Sequence, residues 1–339
     1  MKAMILAAGY GTRLRPLTYA VPKPMVPICN RPLLGYAVER FLSIGVKEIV
    51  VNLHHLPEVI ERYLTQEFGD VCKFHFSFEA EILGTGGGVR KVRPILENDE
   101  DFFLVNGDTI QFPPYEKLQE ARRATDALSA LTLRHPPRGD RFTSVWFAHG
   151  IINGFGSGTG EPLMFAGSHL ISSRIFNYLP EKEFSGIVDE VYMPLIASGK
   201  ESVAGVIDDR PWFDIGTPQR YISAGSAVLD MTLAGTMPVV RGSKIAGDSV
   251  VDQSATIHGS VARSSIGARS FVNGEVSNST VGRNCRIGRS AVLDSCIVGD
   301  GVEINRPLEL RSAIICRDDE EIPRDANYRY ENGLVISDF

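Results

Sequence analysis

The stretch "LAAGYGTRLRPLTYAVPKPMVPI", residues 6–28, runs out of a short apolar segment, Met4–Ala8, into Gly9, Gly11, Arg13, Arg15, Lys23 and prolines at 16, 22, 24 and 27. An apolar run of that length bounded by glycine reads as a buried strand, so positive charge and missing bulk arrive in the loop directly after it. Gly9 and Gly11 remove side chains where a backbone must approach a ligand, and Thr12 with exposed N–H groups can cradle phosphate oxygens. Arg13 and Arg15 suit a phosphate because the guanidinium fork matches two oxygens, while Lys23 adds a compact point charge. A polyphosphate fits such a loop. Taken alone, Gly-x-Gly is equally a tight turn with solvated arginines, so the remainder of the chain has to decide.

Working outward, Leu33–Ile44 reads as a helix, "EIVVNL" as a strand, "LPEVIERYLTQEF" as a helix, "KFHFSF" as a strand, Val89–Leu96 as a helix and "FFLVN" as a strand. Strands alternating with helices imply βαβ units, an α/β fold with a parallel sheet covered on both faces. Ligands of such sheets sit beyond the carboxyl ends of the strands, where the opening loop falls. Beyond about Val239 the period changes. Ile245, Val251 and Ile257 are six apart, as are Ile266 and Val272, Val281 and Ile287, and Val298 and Ile304. A hexad of aliphatics separated by small and turn-forming residues is the pattern of a parallel β-helix. The irregular offsets between pairs predict loops inserted at its corners.

Composition limits what such a chain does. It has 339 residues, 43% hydrophobic and 22% charged, with a net charge of −6, which describes a globular chain of more than one domain. No global charge draws it to nucleic acid or to a membrane surface, so an anionic ligand has to be met by local cations. Cys29, Cys72, Cys285, Cys296 and Cys316 are scattered without metal-ligand spacing and read as reduced thiols, with a cytoplasmic location expected. "MKAMILAAG" lacks the length of a signal-peptide core, and no later segment approaches a membrane span.

A second glycine-rich loop, "EILGTGGGVRK", follows a strand and opens a helix. Its glycines give a flat base or ribose room, and the helix start is expected to supply free N–H groups. It lacks the Gly-Lys-Ser/Thr ending of an ATPase loop. Glu79 or Glu81 beside it could accept hydrogen bonds from a base edge or could be a solvated loop acid. "FFLVNGDTI" leaves Asp108 on the carboxyl edge of its strand, and "DDRPWFDIGTP" offers Asp214 in a glycine-containing turn. Two such acids could hold one Mg²⁺ against nucleotide phosphates. Asp208 and Asp209 compete for the role without neighbouring glycines.

In order along the chain, "GYGTRLRPLT…PKPM", "LGTGGG", "VNGD" and "WFDIGTP" resemble the sugar-1-phosphate nucleotidyltransferases, and the hexads resemble the left-handed β-helix that many members append. The resemblance implies a Rossmann-like, mostly parallel catalytic domain at 1–235, a left-handed parallel β-helix at 240–318 and a cap or tail at 319–339. It implies condensation of a nucleoside triphosphate with a sugar 1-phosphate, releasing pyrophosphate. Carried over by motif, Ala7, Ala8, Gly9, Gly11, Thr12, Glu81, Gly84, Thr85 and Gly86 would contact the nucleotide. Arg13, Lys23 and Asp108 would be catalytic, Asp108 and Asp214 would bind Mg²⁺, and Gly107, Glu161 and Gly167 would line the sugar pocket.

The chain departs from the family at one motif. Where many members carry Glu-Lys-Pro, this one reads "NGFGSGTGEPLMFAGSHL", with Glu161-Pro162 and no lysine. Arg210 is one replacement for the missing cation. Asp189 and Glu190 could touch sugar hydroxyls and are expected instead on a helix face. A carboxylate suits the adjacent N1 and N2 donors of guanine, which favours GTP over UTP, and the resemblance to guanylyltransferases implies mannose or heptose 1-phosphate as acceptor. Uridylyl transfer of the kind that acts on N-acetylmuramate 1-phosphate, or thymidylyl transfer, remains the alternative. A silent, nucleotide-sugar-binding regulatory subunit is the rival of another class, and the presence of Arg13, Lys23, Asp108 and Asp214 speaks against it. His54, His55 and His258 are read as structural or solvent-facing, and the β-helix as the surface of a homo-oligomer.

Overall fold

The computed structural model describes residues 1–339 apart from 138, 140, 141, 320 and 321. Its chain divides into two compact units, Met1–Gly9 with Tyr36–Trp212, and Tyr10–Gly35 with Phe213–Phe339. The division differs from a boundary near residue 235. The opening glycine-arginine loop, from Tyr10 onward, belongs with the hexad region.

Among its described residues the first unit is built on a nine-stranded sheet: β1 (Ala3–Leu6), β2 (Glu48–Leu53), β3 (Lys73–Phe78), β4 (Asp101–Asn106), β5 (Ser129–Arg134), β6 (Val145–Ala148), β7 (Ile151–Phe155), β8 (Glu161–Ser172) and β9 (Val203–Ile207). Their spatial order is β3-β2-β1-β4-β8-β5-β9-β7-β6. β1 pairs in parallel with β2 and β4, and β2 with β3. The register sets Leu6 opposite both Asn52 and Asn106, so the loops leaving these strands start at one level. β1 and β4 are apolar along their length because a central parallel strand is covered on both faces. Met4, Val50, Phe102 and Leu104 pack with Val89 and Tyr192 in the core.

The expectation of a mostly parallel sheet is corrected in its second half. β8 runs antiparallel between β4 and β5, β7 runs antiparallel to β6 and β9, and only β9 and β5 are parallel there. The reason is local. β6 and β7 are joined by His149 and Gly150, both at positive φ, and a two-residue hairpin enforces antiparallel pairing, whereas parallel strands need a long crossover.

The second unit contains the hexads. Val251, Ile266, Val281, Val298 and Ile315 stack in parallel register on one face. Ile257, Val272, Ile287 and Ile304 stack on a second, and Val261, Val276, Leu293 and Leu310 on a third. These side chains fill one core, as expected of a parallel β-helix. Two expectations change. The irregular offsets are not inserted loops: the corner from the second face to the third spans only Ile257 to Val261 and Val272 to Val276, against Ile287 to Leu293 later. Gly259 permits the short corner, since a Cβ there would lie 2.0 Å from the carbonyl oxygen of Gly274. Ile245 is not a core position. It lies on an antiparallel strand, Ser243–Ala246, and is 45% exposed. At the other end Leu334–Asp338 pairs antiparallel with Ala313–Arg317, so hairpins flank the parallel ladder of the first face.

The five cysteines are buried and unbridged. Burial pushes the Cys29 and Cys316 thiols up to about 12, so neither is a thiolate at neutral pH. No helix of the described residues is long and apolar enough to cross a membrane. Ile287, wholly buried on the second face, is a direct probe of the coil stack. Ile287→Ala is expected to cost about 3 kcal/mol by cavity formation, read as a lowered urea midpoint.

Candidate active site

In the first unit, the loops leaving β1, β2 and β3 are tied together by one buried chain of hydrogen bonds. The Ala7 N–H donates to Asn52 Oδ1 at 2.7 Å. Asn52 Nδ2 donates to Glu79 Oε1 at 2.8 Å, and the Leu83 N–H donates to Glu79 Oε2 at 2.9 Å. Both carboxylate oxygens of Glu79 are therefore engaged by the protein, and Glu79 is 4% exposed. Its role is to hold the glycine-rich loop. Glu81, two residues on, is exposed and is the acid left to meet a ligand. Asn52 is the penultimate residue of the strand "EIVVNL", and a single polar residue near the end of an apolar strand was its only sequence signal. Ala7 and Ala8 are buried at the start of the first loop, and Gly9 is exposed.

The second glycine loop forms the helix α1 (Gly84–Lys91). The N–H groups of Gly86 and Gly87 donate to the Ser185 carbonyl at 2.8 and 3.3 Å, and Thr85 Oγ1 accepts from the Ile187 N–H at 2.8 Å. A Cβ on Gly87 would lie 2.4 Å from the Glu183 carbonyl oxygen. The expectation of free N–H groups at this helix start is thus corrected. Close approach of the segment 183–187 uses these donors and explains these glycines. Asp189 and Glu190 lie on the adjoining helical turn Val188–Tyr192.

At the carboxyl end of β4 the Gly107 N–H donates to the Leu6 carbonyl at 2.9 Å, and Asp108 follows, half-buried. Gly167 sits at a register shift in β8 with φ 85°. A Cβ there would lie 2.7 Å from Asn106 Nδ2, so β8 approaches the end of β4 at the one place a side chain is missing. Beside it Gln111, Thr132, Arg134, Ala166, Asp208, Arg210 and Trp212 line a cavity of about 190 Å³. Gln111 Nε2 donates to Thr109 Oγ1 at 3.0 Å. The Arg134 guanidinium lies over the Trp212 ring at 5.3 Å, and Trp212 Nε1 donates to the Ala166 carbonyl at 2.8 Å.

The neighbouring charges are paired. Arg210 Nε donates to Asp208 Oδ1 at 2.8 Å. His135 lies 2.7 Å from Asp209 and 3.0 Å from Glu161, and its hydrogen bond to Asp209, then that to Glu161, raises its imidazole above the usual range. Glu161 thus faces a histidine, and Arg210 shares the cavity wall with Arg134, a cation that motif reading passed over because it closes a strand outside every motif.

In the second unit Thr12–Leu14 form a single 3-10 turn behind Gly11, whose φ is 64°. Thr18 Oγ1 donates to the Gly11 carbonyl at 2.8 Å, which closes the loop on itself. A Cβ on Gly11 would lie 2.7 Å from Lys23 Cβ, so the lysine stem packs on the bare glycine, and Lys23 is 7% exposed. Thr12 and Arg13 are exposed. Asp214 is paired with Arg220 at the start of α2 (Pro218–Leu233). A Cβ on Gly216 would lie 2.9 Å from Asp214 Oδ2 and 3.1 Å from Arg13 Nη2, which brings Arg13, Arg220 and Asp214 around one glycine.

Among the described residues no group of three or more His, Cys, Asp or Glu could hold a metal alone. His258 is exposed, with its ring 5.2 Å from that of Phe271, and His54 Nδ1 lies 2.8 Å from the Glu79 carbonyl oxygen.

Two measurements check this arrangement. Asn52→Ala strands an amide N–H and a carboxylate oxygen and is expected to cost about 2–4 kcal/mol in urea unfolding. Burial holds the His169 imidazole down at about 3, so the unfolded chain binds a proton below its ordinary value near 6.5 and the folded chain does not. Stability contributed by neutral His169 is therefore complete above pH 6.5 and lost progressively towards pH 3. His169→Gln is expected to flatten that acid limb in a pH series of melts.

A family model described as nucleotidyl transferase matches residues 2–143, and one described as GlmU-like, C-terminal hexapeptide matches residues 222–327. The mannose-1-phosphate guanylyltransferase of Mycobacterium tuberculosis is 30% identical over 310 residues, 89% of this chain and 80% of that one. The mannose-1-phosphate guanyltransferase of Eremothecium gossypii is 28% identical over 274 residues, 76% of this chain and 73% of that one. Among solved structures, HddC from Yersinia pseudotuberculosis is similar with a TM-score of 0.56 at 25% identity, covering 67% of this chain and 99% of that one.

Proposed function

Because this chain belongs to the sugar-1-phosphate nucleotidyltransferase family, an enzyme class, we propose that it transfers guanylyl from GTP to mannose 1-phosphate or a heptose 1-phosphate, with Mg²⁺ as cofactor. The observation that carries this reading is the gathering of Arg13, Arg220 and Asp214 around Gly216 beside the opening loop. It supports a site for a highly charged anion and a divalent ion. Exposed Glu81 beside the glycine loop supports a base with adjacent donors, hence guanine. The parallel coils support a left-handed β-helix, and we assign it the contact between copies in a homo-oligomer.

The chemistry asks little of a base. An oxygen of the sugar phosphate is already ionised. It attacks the α-phosphorus in line, forming a P–O bond as the bond to pyrophosphate breaks. The obstacle is repulsion between two anions and charge building on the leaving group. Exposed Arg13 offers a fork to the phosphate oxygens, and Lys23, held against Gly11, offers a fixed positive charge. Asp108 and Asp214 are assigned to Mg²⁺, which when bound supplies further neutralisation of the phosphates. Pairing with Arg220 holds the Asp214 carboxylate in place.

The test is pyrophosphate release from each of the four nucleoside triphosphates with a panel of sugar 1-phosphates and Mg²⁺, GTP with mannose or heptose 1-phosphate being expected to lead. Lys23→Ala and Asp108→Asn are each expected to lower turnover by about 10²–10³-fold with unchanged Tm. Wild-type rates in both variants would overturn the assignments.

A further inference from the structure

The opening loop Tyr10–Gly35 is fastened into the second unit along its whole length. Asn30 Nδ2 donates to Ser243 Oγ at 3.1 Å and to the Ile266 carbonyl at 2.8 Å, joining the loop to the first coil. The Tyr221 hydroxyl of α2 donates to the Pro27 carbonyl, and Cys29 Sγ lies 3.8 Å from the Gly225 carbonyl oxygen of the same helix. At the other end of the coil stack, a Cβ on Gly299 would lie 3.5 Å from Leu17 Cδ1 and 3.4 Å from Cys316 Sγ, so Leu17 rests on the last coils. Within the loop the Arg15 guanidinium covers the Tyr19 ring at 4.5 Å.

These anchors bracket the phosphate cations. Arg13 lies shortly before Leu17, and Lys23 lies between Leu17 and Pro27. A loop of glycine and long basic side chains has much conformational freedom to lose when it closes on a ligand, and catalysis by positioned charge requires that loss to be met beforehand. Own-loop bonds such as Thr18 to Gly11 fix the tight turn but not its attachment. Resting on the assignment of Arg13 and Lys23 to the triphosphate, we propose that Asn30 is a positioning residue through which the β-helix holds the opening loop in its nucleotide-binding shape.

The experiment uses the full chain. Asn30→Asp removes both donors and keeps a residue type that tolerates φ 64°. It is expected to raise the KM for nucleoside triphosphate about five-fold, with the KM for sugar 1-phosphate and the Tm unchanged.

A second readout needs no turnover. The bonds after Arg15, Lys23 and Arg31 precede proline and resist trypsin, which leaves the Arg13–Leu14 bond as the reporter of loop order. Cleavage there is expected to quicken about five-fold in Asn30→Asp. Unchanged cleavage, or KM values for both substrates rising together with a fall in Tm, overturns the proposal. A wild-type protein that releases no pyrophosphate from any pair overturns the functional reading instead, and the cleavage rates still decide the positioning.

Discussion

The buried bond chain from Ala7 through Asn52 and Glu79 to Leu83 is the constraint on which the first unit's ligand-facing edge depends. Three strands deliver their loops at one level because Leu6, Asn52 and Asn106 share a register. Register alone does not shape a loop. A buried carboxylate with both oxygens satisfied by an amide and a backbone N–H does, because leaving either group unpaired in that environment costs more than any local rearrangement recovers. The glycine loop is then fixed from its other side by the Ser185 carbonyl.

The second unit solves a related problem with different means. Its core is a stack of aliphatics on three faces, a rigid column whose side-by-side strands repeat nearly identical contacts. To this column the chain fastens the loop that carries Arg13 and Lys23, and on the same unit stands Asp214, paired with Arg220. The β-helix is thus more than an appendage. Its stiffness is available to the loop fastened to it.

Acids that look alike in sequence separate by surroundings. Glu79 and Glu81 differ by two positions, yet one is locked among protein donors and the other is exposed. Asp208 and Asp209 are met by Arg210 and His135, while Asp214 stands with two arginines around a glycine.

What the residues alone determined was periodic or chemically singular. A continuous apolar run entering a glycine-arginine loop, strand and helix periods in alternation, and aliphatics six apart each have one dominant physical solution, and the motifs named the family. The rest depended on contacts between residues far apart in sequence. That β7 runs antiparallel to β6 followed from a two-residue hairpin at His149 and Gly150. That Ile245 lies outside the core followed from a strand reversing direction before the first coil. That Gly86 and Gly87 spend their N–H groups on Ser185, and that Tyr10–Gly35 joins the β-helix, no local pattern could reveal, because a hydrogen-bond donor carries no mark of its partner. Only the folded chain decides which acceptor it meets.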